Sequence, residues 1–557
     1  MSTPDTPVAV VGGGIAGLSA AITLAAKGHS VLVLEAHSQL GGLCAFWERA
    51  GYTIDGCVHW MTGMYREGSM GGRFFDLWQS LGVPTEQAEM ADFTVFSPAD
   101  YPTHEEVFFG RDYKATRDTL KEQFPADCEL LDEYFDMADV MHDIPLPAQG
   151  VGILRYLFQV GIKDVVRVLK VMSGGERLRD FVKRVNNPRL GTILGSLYAR
   201  NSATYFVPLT LGGLDDGSFS AFPPGAKGLV EAMMTRAASL NVQIRTGAAV
   251  EGMAITKKRI DSLSVRIKGA GHGEEGTLTD VPVSGVMWCA PLPDLLSSLS
   301  ACGVNAPRAL VRCATPVDPE SCICVYICLQ SGVQRLERAF PGISTLVGGY
   351  VTDASPDLPT SLGEGVEVTS LGGASITCHR GPTVVPEAGA EDGGVVEVIL
   401  GADPAPFMGI AGLAEGVGVG DVGTVTQEEY NAYKQAVGEA VTQWLMEHIE
   451  IKTTARHGEG SGEAEGLSPV SIAYTDVVTP YTYAHICRCT QGMCIGNMGQ
   501  DNKQGSVKHG VRGVRNLAVG STWTTSTGGL PVAAEQGAVG AQYLHKKWGK
   551  KKLREAE

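Results

Sequence analysis

Apolar and polar positions follow more than one period along this chain, and each period predicts a different element. Val8–Glu35, "VAVVGGGIAGLSAAITLAAKGHSVLVLE", is almost wholly apolar. Such a run near an N-terminus fits a membrane span, a secretion signal or a βαβ unit. A signal needs a basic leading region, yet residues 1–7 carry Asp5 and no Lys or Arg. A span needs about 20 apolar residues without a group of helix-weakening glycines, whereas Gly12, Gly13, Gly14 and Gly17 stand close together. The βαβ unit uses the whole run: a buried strand at Val8–Val11, a helix over Ile15–Lys27, Gly28 as the left-handed residue after it, and a second strand over Ser30–Leu34.

Helical spacing returns at 151–172, "VGILRYLFQVGIKDVVRVLKVM". Arg155, Gln159, Lys163, Arg167 and Lys170 recur at intervals of four, four, four and three and make one mostly cationic stripe. Asp164 is the sole acidic residue there, and the other positions are broadly apolar. The pattern predicts one helix lying on a membrane surface; the alternative is a helix buried in a substrate domain with its basic edge in water. Thr426 with Glu429 forms a capping box, opening a helix whose apolar face runs through Ala432, Val437, Ala440, Val441, Trp444, Leu445 and Ile449. Strands are predicted at Cys322–Leu329 and Gly394–Leu400. Glycine-rich or polar stretches at 268–280, 386–394, 409–423 and 456–466 are expected to be loops rather than domain linkers, because regular patterns resume on both sides.

Composition narrows the function classes. The 557 residues are 44% hydrophobic and 19% charged, an ordinary globular balance, and the length suggests two to four domains. A net charge of -16 disfavours nucleic acid, whose phosphates need a basic face. The tail from His545 to Arg554 is locally basic. Thirteen cysteines without a secretion signal fit reduced thiols in a cytoplasmic protein. Cys322/Cys324/Cys328 and Cys487/Cys489/Cys494 lack paired CxxC spacing, so buried structural thiols are expected there and no metal site.

Gly12, Gly14 and Gly17 make GxGxxG at the strand-to-helix turn. The first glycine allows the tight turn, the second lets a pyrophosphate approach the backbone, and the third lets helix and strand pack closely. The phosphates would sit on free N–H groups at the positive end of the helix. Glu35, eighteen residues beyond Gly17, ends the second strand and can accept from both ribose hydroxyls; it also repels a 2′-phosphate, which argues against NADP. The glycine runs at 269–273 and 416–420 lack the flanking strand and helix and are expected to be surface loops. One dinucleotide site is therefore expected.

Beyond Glu35, Gly41 and Gly42 again permit close approach of a phosphate or ribityl chain. With them the sequence resembles FAD-dependent flavoproteins of the two-dinucleotide-binding-motif type, and specifically the phytoene desaturase, carotenoid cis-trans isomerase and retinol saturase family of the amine-oxidase-like superfamily. "GYTIDGCVHW" (51–60), "AFPPGAKGLVEAMMTRAASLNVQIRTGAAVEGM" (221–253), "VTPYTYAHICRCTQGMCIG" (478–496) and "GVRNLAVGSTWTTSTGGLPVAAEQGAVGAQYL" (513–544) are similar to its motifs in order. The resemblance implies an α/β fold: a Rossmann-type FAD-binding domain from 1–95, 221–310 and 480–557, with a discontinuous α+β substrate domain from 96–220 and 311–479. It implies FAD held by Gly12, Gly14, Ile15, Ala16, Gly17, Glu35, Ala36, Gly41, Gly42, Leu43, His59, Val250, Gly520, Ser521, Leu530, Pro531 and Val532. His59 is the implied catalytic side chain, as a proton donor or acceptor or as a packed residue shaping the site. Trp60 is expected to be wall, and Asp55 to orient a turn.

Two departures stand out. Gly520-Ser521 occupies the place where much of the superfamily has Gly-Asp, which implies weaker binding or an altered flavin potential. Leu43-Cys44 follows the GG pair where amine oxidases usually have a basic residue, which favours the polyene branch. The implied activity is desaturation, saturation or cis-trans isomerisation of a hydrophobic polyene. A flavin amine oxidase and a non-redox lipid carrier with structural FAD remain as alternatives.

Overall fold

The computed structural model describes residues 6–555 apart from 59, 91–93, 146–152, 174–175, 199–201, 269–275, 316–318, 345–348, 364–365, 369–372, 380–391, 411–424, 458–466, 486–487, 490–491, 494–506 and 526–527. His59, the glycine runs at 269–273 and 416–420, and Cys487 and Cys494 fall outside the described residues.

Val8–Val11 is apolar at every position because both faces of its sheet are covered, and all four residues are buried. It is the middle strand of a five-stranded parallel sheet ordered Leu517–Val519, Gly285–Trp288, Val8–Val11, Val31–Leu34, Gln243–Arg245. The helix Ile15–Ala26 follows it. Gly28 then takes φ +83 and donates its N–H to Ala25 O at 2.9 Å, the left-handed stop that the sequence predicts. The helix Leu530–Glu555 packs across Ile15–Ala26 so closely that a Cβ on Gly537 would lie 2.0 Å from Ala16 O. Ser19 Oγ, buried in that contact, donates to Ala534 O at 2.6 Å.

A three-stranded antiparallel sheet, Ala248–Thr256, Arg259–Ile267 and Thr277–Pro282, extends from this unit. The largest sheet has seven strands ordered Ser471–Val478, Ser321–Ser331, Gly394–Ala402, Ala374–His379, Tyr350–Thr352, Thr94–Ser97, Val107–Phe109. It is antiparallel except where Tyr350–Thr352 meets Thr94–Ser97. Its far face is covered by the helix Gln427–His457. The capping box is present: Thr426 N donates to Glu429 Oε2 at 2.8 Å and Glu429 N to Thr426 Oγ1 at 3.2 Å. The buried stripe is Tyr430, Tyr433, Val437, Val441, Leu445 and Ile449. Ala432, expected on that face, is exposed. It lies about 100° out of phase with Tyr433, which takes the core position.

The segment 151–172 differs from the single helix its spacing predicts. Ile153–Val160 and Ile162–Ser173 are two helices, broken at Gly161, whose φ is +89. With no Cβ, glycine adopts this conformation without steric penalty, and Gly161 N–H closes the first helix on Leu157 O at 2.9 Å. The cationic stripe is thereby split. Tyr156, Val165 and Val168 are buried, with Val168 packed against Val140 and Ile144, while Leu154, Phe158, Ile162, Val166 and Leu169 are exposed.

Candidate functional site

The turn after Val8–Val11 has almost no spare room. A Cβ on Gly17 would lie 1.8 Å from Gly12 O, and one on Gly12, already at φ +97, would lie 2.9 Å from Ala290 N. Gly14 caps the helix Ile15–Ala26 without a side-chain hydrogen bond, so the first-turn N–H groups are not occupied by a side-chain cap. The backbone of Gly12, Gly14, Ile15 and Ala16 lines a large cavity. Glu35 closes the turn from the next strand: one carboxylate oxygen accepts from Gly13 N at 2.6 Å and the other from His37 N at 2.8 Å. A carboxylate offers about four acceptor positions, so capacity remains for ribose hydroxyls.

Gly41 and Gly42 have a packing role that spacing does not reveal. Gly41 N donates to Gly13 O at 3.0 Å, and a Cβ on Gly42 would lie 3.1 Å from Gly14 Cα. The two glycine loops thus lie on each other, and Ala36, Gly41, Gly42 and Leu43 line the cavity beside Glu35. Val250, with Ala248 and Ala249, lines it from the strand Ala248–Thr256, tied to Glu35 by Ala248 N donating to Glu35 O at 2.7 Å.

At the other end, Gly520 admits no side chain, since a Cβ would lie 2.4 Å from Gln536 O. Ser521 Oγ accepts from Trp523 N at 3.3 Å, and Ser521 N donates to Thr524 Oγ1 at 3.1 Å. Ser521 therefore builds its own capped turn. Leu530, Pro531 and Val532 bring the start of the helix Leu530–Glu555 to the same cavity. Arg73, which also lines it, fixes that helix through a nearly buried bidentate pair with Glu535, at 2.9 and 2.6 Å. Spacing alone did not point to Arg73, because its partner is 462 residues away.

Asp55 works as a turn organiser. Its Oδ1 accepts from Cys57 N and Val58 N, both at 2.9 Å, and its Oδ2 from Ala226 N at 2.7 Å. The segment leading to Trp60, which lines the cavity, is thereby stitched to the helix Gly225–Ser239. Cys322 and Cys324 also reach the cavity wall, with their sulfurs 3.6 Å apart. The hydrogen bond with Cys322 and burial push the Cys324 thiol well up, so it stays protonated and unreactive.

The cavity measures about 1700 Å³, above the roughly 300–1,000 Å³ of single-ligand pockets. The volume is more than one drug-sized ligand requires. Leu178, Val182, Leu197, Tyr205 and Phe206 form its apolar wall, and none of them carried a motif in the sequence.

Residues 10–81 match the model of the NAD(P)-binding Rossmann-like domain. Human all-trans-retinol 13,14-reductase is 33% identical over 166 residues, 28% of this chain and 26% of that protein. Carotenoid phi-ring synthase of Chlorobaculum tepidum is 24% identical over 336 residues, 58% of this chain and 50% of that protein. Over these parts of its length the chain is similar to a retinol reductase and to a carotenoid ring synthase. The matched regions span from about a quarter to a half of these relatives' own lengths. A solved structure of putrescine oxidase with a redesigned cofactor site has a TM-score of 0.51 at 14% identity, over 97% of this chain and 99% of that one. At that identity the likeness speaks for the fold alone, which is the Rossmann-based fold that the family resemblance implies.

Proposed function

We propose that the chain is an FAD-dependent oxidoreductase that desaturates, saturates or isomerises carbon–carbon double bonds of a hydrophobic polyene such as a carotenoid or retinoid. The observation that carries this is one continuous cavity running from the dinucleotide turn to an apolar wall. The relatives' names, a retinol reductase and a carotenoid ring synthase, support it. Gly12, Gly14, Ile15 and Ala16 would hold the pyrophosphate, Glu35 and Ala36 the ribose, Gly41–Leu43 the chain between, and Val250 the adenine, with Gly17 serving by letting the helix pack onto the turn. Gly520, Ser521, Leu530, Pro531 and Val532 would hold the flavin end. FAD supplies hydride acceptance and return; this chain's part is to bind the polyene and exclude water. We assign His59, the residue before the cavity-lining Trp60 in the sequence, as the proton-handling side chain, with a packed histidine shaping the site as the alternative. The division into 1–95, 221–310 and 480–557 against 96–220 and 311–479 is kept, with the strand Thr94–Ser97 lying across the first boundary.

Anaerobic incubation with all-trans-retinol or a carotene, with the flavin oxidised in one arm and reduced in the other, tests this. Mass spectrometry should find a substrate changed by two hydrogens or a geometric isomer of unchanged mass. Polyene bound but unaltered in both arms, with the flavin spectrum unmoved, would leave a lipid carrier. Bleaching by amines but not by polyenes would mean an amine oxidase.

We further propose that this is a cytoplasmic protein that meets its lipid-like substrate at a membrane surface. No helix of the described residues is long and apolar enough to cross a bilayer. The paired helices Ile153–Val160 and Ile162–Ser173 instead present Phe158 at 89% and Ile162 at 72% exposure, with the exposed Arg155, Lys163, Arg167 and Lys170 among them. An exposed apolar ridge edged by cations suits an anionic lipid surface. Leu178 and Val182 of the cavity wall follow directly in the chain. The protein should float with phosphatidylserine vesicles and lose most of that binding in a Leu154→Asp, Phe158→Asp double variant. Sedimentation of the native protein away from the vesicles would return the ridge to another role.

A further inference from the structure

The third wall of the cavity comes from the seven-stranded sheet, and it is polar. Along Gly394–Ala402 the residues Val396, Val398 and Leu400 enter the core under the sheet. Side chains alternate across a strand, so Glu397 and Ile399 turn to the cavity. The register sets Glu397 opposite Tyr326 on one side and Thr377 on the other. Ser375 and Thr377 line the cavity beside it. Glu397 is only 1% exposed, and His379 Nε2 lies 3.6 Å from its Oε2.

We propose that this patch is a head-group subsite, in which Glu397 accepts a hydrogen bond from a hydroxyl at the polar end of the polyene. The assignment rests on the polyene function proposed above. A carboxylate on the wall of a pocket for a pure hydrocarbon only loses hydration; an aliphatic residue would serve better there. A hydroxyl gains on both counts, because it donates to the carboxylate and still accepts from Thr377 or Ser375. Charge points the same way. Burial pushes the His379 imidazole down, but Glu397 and then Asp55 outweigh it and the net shift is upward, favouring the imidazolium. The carboxylate is thus compensated by a neighbour two residues along the adjoining strand from Thr377, and a neutral donor suits the pair better than an ammonium ion would. Burial and then the Glu397 charge push the Tyr326 phenol well up, so that neighbour stays neutral.

All-trans-retinol and retinyl acetate share a polyene and differ in the free hydroxyl, which makes them the probes. Binding to the FAD-loaded protein is read by tryptophan quenching in the dark under argon, with Trp47 packed edge-on to Tyr326 at 5.2 Å between centroids as one reporter. The native protein should prefer the alcohol by on the order of 10- to 100-fold, the effect of a hydrogen bond to a charged group. Glu397→Leu should bring the alcohol down to the acetate's affinity and spare the acetate, with Glu397→Gln between them. Equal affinities in the native protein, or parallel losses in Glu397→Leu, would overturn the assignment and leave Glu397 as a packing residue. Tighter binding of dodecylamine than of retinol, abolished in Glu397→Leu, would overturn it in favour of a cationic ligand. If Glu397→Leu fails to retain FAD, Glu397→Gln decides: it must weaken the alcohol and not the acetate. Failure of both polyenes to bind the native protein would instead remove the polyene function on which the subsite stands.

Discussion

Replacing Glu35 with alanine is expected to strip most of the FAD from the purified protein. The carboxylate has two tasks. It accepts from Gly13 N and His37 N at 2.6 and 2.8 Å, which fixes the loop that lies against the GG pair, and its remaining acceptor positions face the site proposed for the ribose. Hydrogen bonds to a charged group contribute about 1.5–3 kcal/mol, and about 1.4 kcal/mol is a factor of ten. FAD affinity should therefore fall on the order of 10- to 100-fold, measured as the flavin-to-protein absorbance ratio after desalting and by calorimetric titration of FAD. Glu35→Gln keeps an acceptor and should lose less. An alanine variant that stays saturated with FAD after desalting would remove Glu35 from the site.

Gly17→Ala should do more damage than any other single methyl group in the site. The new Cβ would sit 1.8 Å from Gly12 O. Gly12 cannot retreat, since its N–H is held by Leu34 O at 2.9 Å and its own α-carbon faces Ala290. Relief requires moving the helix Ile15–Ala26 off the sheet, and that helix is locked to Leu530–Glu555 by the Gly537 contact and the Ser19 hydrogen bond. Backbone shifts of this kind cost about 1–3 kcal/mol or more. The variant should be recovered colourless with a lowered melting temperature, or not recovered folded at all. A yellow variant with a native melting temperature would show that the turn has slack that its contacts do not suggest.

The first βαβ unit was legible because every signal in it is local. Four apolar residues, three spaced glycines and an acidic residue lie within one stretch of chain, and the helix there ends within one residue of the boundary its periodicity predicts. The capping box at Thr426 was legible for the same reason. Local signals failed where one residue outvotes a period. Gly161 breaks a helix that the charged positions alone continue, and Tyr433 takes the core position expected of Ala432. A tally of hydrophobicity weighs every position alike, but packing rewards the larger buried side chain.

The sequence by itself determined the dinucleotide turn, the acidic residue that closes it and the family resemblance. Each rests on residues near one another in the chain, whose spacing is already their geometry. Only the tertiary structure decided what faces that turn. Glu397 reads as one charge in an apolar strand until the register sets it between Tyr326 and Thr377. Arg73 gains its meaning from Glu535, at the other end of the chain. A cavity wall is made of strands and helices far apart in sequence, and the pattern within any one of them shows which face is inward but not what that face will meet.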